Sequence, residues 1–373
     1  MRKRLQIDAN PVVPYYAVGK LNGIGRTTLE LIRALNDLPV SEIPFDIVLY
    51  SQNMKGIGGR NIGTRFASRH LYLRNKDNYN RLVAALRLRE MVAGYDLLHI
   101  PSNYARVAHP ERCIVTVHDA MFFTWPEDNL GHAFARRHYP AFARRAQAVL
   151  TCSENSRREI AEYMDVDPDK IFVTPWGVDH TLLRPHETAP CKYTGGRPYF
   201  LSVSCSLGRK NTVSVIRAYI QFAKNAPDHD LVLVWYNPPS EIVSMVESAG
   251  LKERIHFVSG IPSVELADLY AGASATFFPS LYEGFGLPIA ESLACGTPVV
   301  TCRNSCLAEV GGTAALYVEP EDTDAMASWM EYFENGDSGI GPLRTRSYEQ
   351  GAKFTWEDCA RKTLNVYRLC LDV

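Results

Sequence analysis

Residues 199–236, "YFLSVSCSLGRKNTVSVIRAYIQFAKNAPDHDLVLVWY", read as an apolar strand, a glycine-containing loop, a helix and a second apolar strand. The same rhythm has already run once upstream. There "RLQIDA" leads into the helical "GRTTLELIRALNDL" and the strand "FDIVLY", followed by "DLLHIP", "CIVTVHD", "AVLTCS", the helical "ENSRREIAEYM" and the strand "KIFVTPWG". Downstream come "RIHFVSG", the helical "SVELADLYAGA" and the strand "ATFFPS". A repeated strand–helix–strand series predicts parallel sheets covered by helices on both faces. Two such series predict an α/β chain of two Rossmann-like domains facing across a cleft, with a ligand at the carboxyl ends of the strands. The Pro/Gly-rich residues 183–198 are the expected interdomain linker, which sets the domains at 1–185 and 186–355.

A length of 373 residues fits that division, because it exceeds what one hydrophobic core organises. In the opening "MRKRLQIDANP", Gln6, Asp8 and Asn10 interrupt any apolar run, and nothing later reaches membrane-spanning length. The nine cysteines are scattered without a CxxC pair and read as reduced thiols. These features predict a cytoplasmic protein. The net charge of −1 hides an asymmetry: residues 1–186 hold 25 Lys+Arg and 19 Asp+Glu, and the remainder 15 and 22. A basic first half suits an anionic partner such as a membrane surface or a phosphorylated lipid, the alternative being a chance imbalance on solvated faces.

The densest chemistry lies in "LYEGFGLPIAESLACGTPVV", residues 281–300. The loop at the end of the strand "ATFFPS" carries Glu283, Gly284, Phe285 and Gly286. Leu287 and Pro288 then open a helix that holds Glu291 and stops at Gly296. The glycines let backbone approach a ligand, the helix amino end offers N–H groups to an anion, and each carboxylate can accept from two neighbouring sugar hydroxyls. The plain alternative is that Glu291 complements the helix dipole and Glu283 faces solvent.

Arg209 and Lys210, in "SLGRKN", end a strand and lead into a helix. Cations there oppose the helix dipole unless an anion compensates them, which points to a diphosphate, the alternative being a surface pair on an ordinary loop. Gly19, Gly23 and Gly25 precede another helix but break the dinucleotide fingerprint, since Thr28 stands where the third glycine would be. That loop reads as a close-approach loop for phosphate or sugar. His118 ends the strand "CIVTVHD", where an imidazole can donate a hydrogen bond to a sugar hydroxyl or developing charge, the alternative being a histidine simply packed at a strand end. The aspartates of "MDVDPDK" imitate a metal loop but lack the spacing of one, and read as a turn. "RRHYPAFARRAQA" reads as an amphipathic helix, either surface or membrane-facing.

In order along the chain, "NGIGRTTLELIRAL", "VTVHDAMFF", "SENSRREI", "VTPWGVD", "LSVSCSLGRKN", "YEGFGLPIAESLACGTPVV" and "FTWEDCA" resemble the retaining glycosyltransferases of family 4, of GT-B fold. That resemblance makes residues 1–185 the acceptor-side domain and 186–355 the nucleotide-sugar domain, with a helix at 356–373 packing back on the first. It implies donor phosphates near Gly23 and Gly25, a diphosphate on Arg209 and Lys210, and transferred-sugar hydroxyls on Glu283. Ribose then falls to Glu291, and His118 lies near the reacting centre. One departure is Cys205, which stands five residues before Lys210 where many members place the arginine. The resemblance implies a metal-independent hexosyltransferase without a cofactor, taking mannose from GDP-mannose or a UDP-sugar. Its acceptor would be a glycan or polyprenyl-diphosphate-linked saccharide of polysaccharide or lipopolysaccharide biosynthesis, reached by peripheral contact with the inner face of the cytoplasmic membrane. The alternative is a nucleotide-sugar epimerase of the same fold.

Overall fold

Seven strands form a sheet in the order β3-β2-β1-β4-β5-β6-β7, every neighbouring pair parallel. They are β1 (Arg4–Asp8), β2 (Asp46–Gln52), β3 (Ala67–Leu71), β4 (Leu97–Ile100), β5 (Cys113–Thr116), β6 (Ala148–Thr151) and β7 (Ile171–Val173). A second, six-stranded parallel sheet has the order β10-β9-β8-β11-β12-β13. Its strands are β8 (Tyr199–Ser202), β9 (Asp230–Val234), β10 (Ile255–Val258), β11 (Ala275–Phe278), β12 (Val299–Thr301) and β13 (Leu316–Tyr317). These come from a computed structural model that describes residues 2–14, 21–52, 62–73, 76–92, 94–126, 130–206, 208–225, 227–336 and 338–373, less the side chain of Asp77. Gly19 lies outside the described residues.

In both sheets the order runs back from the third strand to the first and then jumps to the fourth. Such a reversal leaves a crevice at the carboxyl ends of the two central strands, the usual ligand position of open α/β sheets. The crevices fall between β1 and β4 in the first sheet and between β8 and β11 in the second.

Alternation along the strands builds the first unit's two cores. Leu97, Ile114 and Leu150 join one buried cluster with Leu29, Ile32 and Leu35 of helix Gly23–Asp37. Their neighbours Leu98, Val115 and Val149 join another with Phe142 of helix Leu130–Arg145 and Ile160 of helix Glu154–Met164. Helix Trp356–Leu371 completes the first cluster with Cys359, Ala360, Leu364 and Tyr367. The Tyr367 hydroxyl lies 2.6 Å from His99 Nδ1, and Gln147 donates to the Cys370 carbonyl at 2.9 Å.

The chain accordingly divides into one unit of Met1–Trp176 with Trp356–Val373 and another of Gly177–Thr355. This moves the expected boundary after residue 185 back to 176/177. Residues beyond Trp176 hydrogen-bond into the second unit: Val178 N and His180 Nε2 both meet the Phe354 carbonyl, at 3.1 and 2.9 Å. Nor is residues 183–198 a loose linker, since Thr194 Oγ1 donates to the Arg197 carbonyl at 2.7 Å and Leu183 is buried. The aspartate-rich segment is a turn, with Asp165 left-handed (φ 54°) at a helix end and Asp167 capping a 3-10 turn over Pro168–Lys170. All nine cysteines are free thiols. Among the described residues no helix is long and apolar enough to cross a membrane.

Candidate functional site

The loops leaving β8 and β11 meet at the second sheet's crevice, because those strands are neighbours despite the 72 residues between the end of the one and the start of the other. Lys210 Nζ donates to Glu283 Oε1 at 2.6 Å, and Arg209 Nη1 lies 3.0 Å from the same oxygen. Ser280 Oγ donates to it as well, at 2.7 Å. Backbone fixes the cluster further: Leu281 N donates to the Arg209 carbonyl at 2.7 Å, and Arg209 Nη1 to the Tyr282 carbonyl at 2.7 Å. Glu283 N donates to Ser305 Oγ at 3.1 Å. Glu283 is 8% exposed, which rules out the solvent-facing alternative.

The cluster also changes the reading of Arg209 and Lys210. They stand in a 3-10 turn, Gly208–Lys210, just before helix Thr212–Phe222. The anion that compensates cations at this helix end is the protein's own Glu283 carboxylate, so their position alone does not demand a ligand. What the three residues make is a pair of donors and a carboxylate at fixed spacing in a strand-end crevice. Lys210 Nζ also sits 5.0 Å from the Phe278 ring centroid, which holds the ammonium from a second side. Asn211, left-handed at φ 54°, locks the turn by donating to the Pro279 and Pro320 carbonyls at 3.1 and 2.5 Å.

Helix Leu287–Ala294 begins where Gly286 adopts φ 90°, with Pro288 in its first turn. A side chain at Gly286 would combine an unfavourable backbone with a contact of 3.2 Å to Leu307 Cδ2. Phe285 is buried and packs edge-on against Phe354, at 5.6 Å between centroids. Glu291, 2% exposed, lies in the second turn, where Tyr270 Oη donates to its Oε2 at 2.9 Å. Cys205, in the loop position of the expected arginine, is a buried thiol whose pKa burial pushes up to about 11. It is a packing residue, and the guanidinium beside Glu283 is that of Arg209.

In the first unit, His118 is 7% exposed and follows β5. Asn103 Oδ1 accepts from its backbone N–H at 2.9 Å, and its Nε2 lies 3.0 Å from the Pro101 carbonyl. A carbonyl only accepts, so Nε2 carries the proton and Nδ1 presents a lone pair. Burial lowers the imidazole to about 4, so it is neutral at pH 7. The donor hydrogen expected for a substrate is spent on Pro101, and Nδ1 is buried without a hydrogen-bond partner among the described residues. Trp176 flanks the ring at 5.4 Å between centroids.

Gly25 is tied into its own loop. Its N–H donates to Asn22 Oδ1 at 2.8 Å, and a β-carbon there would meet the Pro11 carbonyl oxygen at 2.5 Å. Its smallness serves the packing of helix Gly23–Asp37 on the preceding turn, whereas Gly23 faces open space. Sequence reasoning missed Ser280, Ser305, Tyr270 and Asn103. Ser280 alone had a local signal, ending the strand three residues before Glu283. Among the described residues no group of three or more His, Cys, Asp or Glu side chains can hold a metal ion.

Residues 21–182 match the family described as Glycosyltransferase Family 4, and residues 191–354 the one described as Glycosyl transferases group 1. The O-antigen chain mannosyltransferase B of Escherichia coli is 29% identical over 383 residues, covering 94% of this chain and 96% of that protein. A sucrose-phosphate synthase structure from Thermosynechococcus elongatus matches with a TM-score of 0.74 at 18% identity, over 100% of both chains. The Anabaena Alr3699/HepE structure in complex with UDP and glucose matches with a TM-score of 0.74 at 15% identity, over 98% of this chain and 99% of that one. The two Rossmann-like units are those of the GT-B fold. With one family match falling mainly on each unit, this chain belongs to the glycosyltransferases of family 4.

Proposed function

We propose that this glycosyltransferase moves mannose from GDP-mannose, with retention of configuration and without a metal, onto a glycan or lipid-linked acceptor of polysaccharide or lipopolysaccharide biosynthesis. The observation that carries the reading is the single Glu283 oxygen held by Lys210, Arg209 and Ser280 beside the left-handed Gly286. Lys210 and Arg209 take up charge on a departing diphosphate, and Glu283 accepts from hydroxyls of the sugar attached to it. Glu291, oriented by Tyr270, accepts from the ribose hydroxyls. The acceptor hydroxyl attacks the anomeric carbon from the leaving-group face, the carbon–phosphate oxygen bond breaks, and a donor phosphate oxygen takes the acceptor's proton. His118, its Nε2 hydrogen held on the Pro101 carbonyl, lies near the reacting centre. The name of the E. coli relative supports mannose and an O-antigen acceptor. Work at the inner face of the cytoplasmic membrane, by peripheral contact, belongs to the same proposal.

The test is transfer from GDP-mannose to a synthetic mannose-terminated acceptor in EDTA, with the new anomeric centre assigned by NMR coupling constants. An α-linked product formed at an undiminished rate in EDTA is expected. A β-linked product, loss of transfer in EDTA, or transfer from UDP-sugars alone would overturn the corresponding part.

A further inference from the structure

Beside His118 the first unit has a cavity of about 20 Å³, walled by helix Gly23–Asp37 on one side and helix Trp356–Leu371 on another. A single buried water needs about 10–15 Å³ of such space and two to four polar partners. Five threonines line the cavity with His118: Thr27, Thr28, Thr116, Thr174 and Thr363. All six residues are buried. A wall so polar must satisfy its hydrogen bonds within the protein or through water.

The hydroxyls separate into two groups. Thr27 Oγ1 and Thr28 Oγ1 donate to the Ile24 carbonyl at 3.1 and 2.7 Å, and Thr174 Oγ1 donates to that of Thr151 at 3.4 Å. Their hydrogens are committed. Thr116 Oγ1 differs, because its partner is His99 Nε2 at 2.8 Å. His99 is wholly buried between that threonine and Tyr367, whose hydroxyl is 2.6 Å from Nδ1. The Tyr367 hydroxyl has no other partner among the described residues, so it donates and Nδ1 accepts. Burial holds His99 at about 3, hence neutral. A neutral imidazole that accepts at Nδ1 carries its hydrogen at Nε2 and gives it to Thr116 Oγ1. The Thr116 hydroxyl hydrogen is then left over, with no acceptor among the described residues.

His118 has the opposite need. Its Nε2 hydrogen rests on the Pro101 carbonyl, and its Nδ1 lone pair is buried without a donor among the described residues. Thr363 Oγ1 is buried in the same state, apart from a weak contact with the Cys359 thiol. One uncommitted donor and two groups able to accept therefore line a cavity with room for one water.

We propose that one buried water fills this cavity, accepting from Thr116 and donating to His118 Nδ1 and Thr363 Oγ1. It completes a line of hydrogen bonds from Tyr367 through His99, Thr116 and the water to His118. Helix Trp356–Leu371 thereby holds His118 twice, through Tyr367 and through Thr363. Thr116, His99, Tyr367 and Thr363 are positioning residues, which set the tautomer and ring orientation of His118 without touching substrate. A consequence for turnover rests on the transferase reading above; the water does not.

The experiment is a high-resolution crystal structure of the full chain, with nitrogen NMR spectra of its histidine rings at neutral pH. An ordered water about 2.7–3.2 Å from both Thr116 Oγ1 and His118 Nδ1 is expected. Thr116→Val should move the His118 Nδ1 resonance downfield, toward an unbonded lone pair, and Thr116→Ser should restore it. Thr363→Val should move it the same way by less. In transfer assays Thr116→Val should lower kcat about fivefold, the worth of one hydrogen bond, with the donor KM unchanged. A dry cavity in the wild-type crystal would overturn the proposal whether or not a variant folds. So would an unmoved Nδ1 resonance in both valine variants. A moved resonance with unchanged kcat would uphold the water and refute the role given to His118, which separates the two failures.

Discussion

Lys210 and Glu283 are 73 residues apart in the chain, and their Nζ and Oε1 atoms are 2.6 Å apart in the fold. Each resolves the other's difficulty. A cation at a helix amino end opposes the dipole, and a carboxylate that is 8% exposed needs compensation. The pair can exist only because β11 is inserted beside β8 in the second sheet.

Glu283→Ala removes that compensation from Lys210 and Arg209 together. Breaking a largely buried pair of this kind should cost about 3 kcal/mol of stability, and transfer should fall by roughly 10²-fold or more. Glu283→Gln keeps the shape and the Ser280 contact. It should recover most of the stability in urea unfolding and little of the initial rate.

Tyr270→Phe removes the hydroxyl that orients Glu291. The loss of one such bond, about 1 kcal/mol, should weaken nucleotide binding roughly fivefold. Glu291→Ala should weaken it further. In neither variant should kcat fall as far as in Glu283→Ala, which saturating-donor kinetics will show.

Gly286→Ala places a β-carbon on a φ of 90° and against Leu307. It should cost about 1–2 kcal/mol in thermal or urea unfolding and disturb the start of helix Leu287–Ala294. Gly23→Ala meets no atom within 4 Å and should leave stability within about 0.5 kcal/mol.

Burial lowers His118 to about 4 and His99 to about 3 from an ordinary 6.5, with the neighbouring His118 contributing further at His99. Between those values the unfolded chain binds more protons than the folded one. Their contribution is therefore complete above pH 6.5 and is lost as pH falls toward 4, by about 3 kcal/mol for His118 alone. Urea midpoints from pH 7.5 to 4.5 should show the decline, and His118→Asn should reduce its slope.

Much of this was legible in the sequence because parallel sheets advertise themselves as apolar runs between helical spacings. "CIVTVHD" and "ATFFPS" end in loops that carry chemistry, and Gly286 and Pro288 mark a helix start. What stayed hidden depends on strand order or on long-range contact. Nothing local couples "SLGRKN" to Glu283, Tyr270 to Glu291, or Tyr367 to His99. The edge strand β3, "ASRHL", has no apolar run to announce it. The boundary at 176/177 was missed because Pro and Gly mark turns as readily as linkers, and residues 183–198 belong to the second unit, where His186 Nε2 lies 2.8 Å from Asp268 Oδ1.

The central claim is that Lys210, Arg209 and Glu283 form a diphosphate-sugar site that works without a metal. Titration of GDP into the wild-type chain and Lys210→Ala, both in EDTA, tests it most directly. Binding to the wild type and a loss of about 1.5–3 kcal/mol, roughly 10–10²-fold, in the variant is the expected result. Equal affinity in the two chains, or no binding of GDP or UDP until a divalent cation is added, would contradict it.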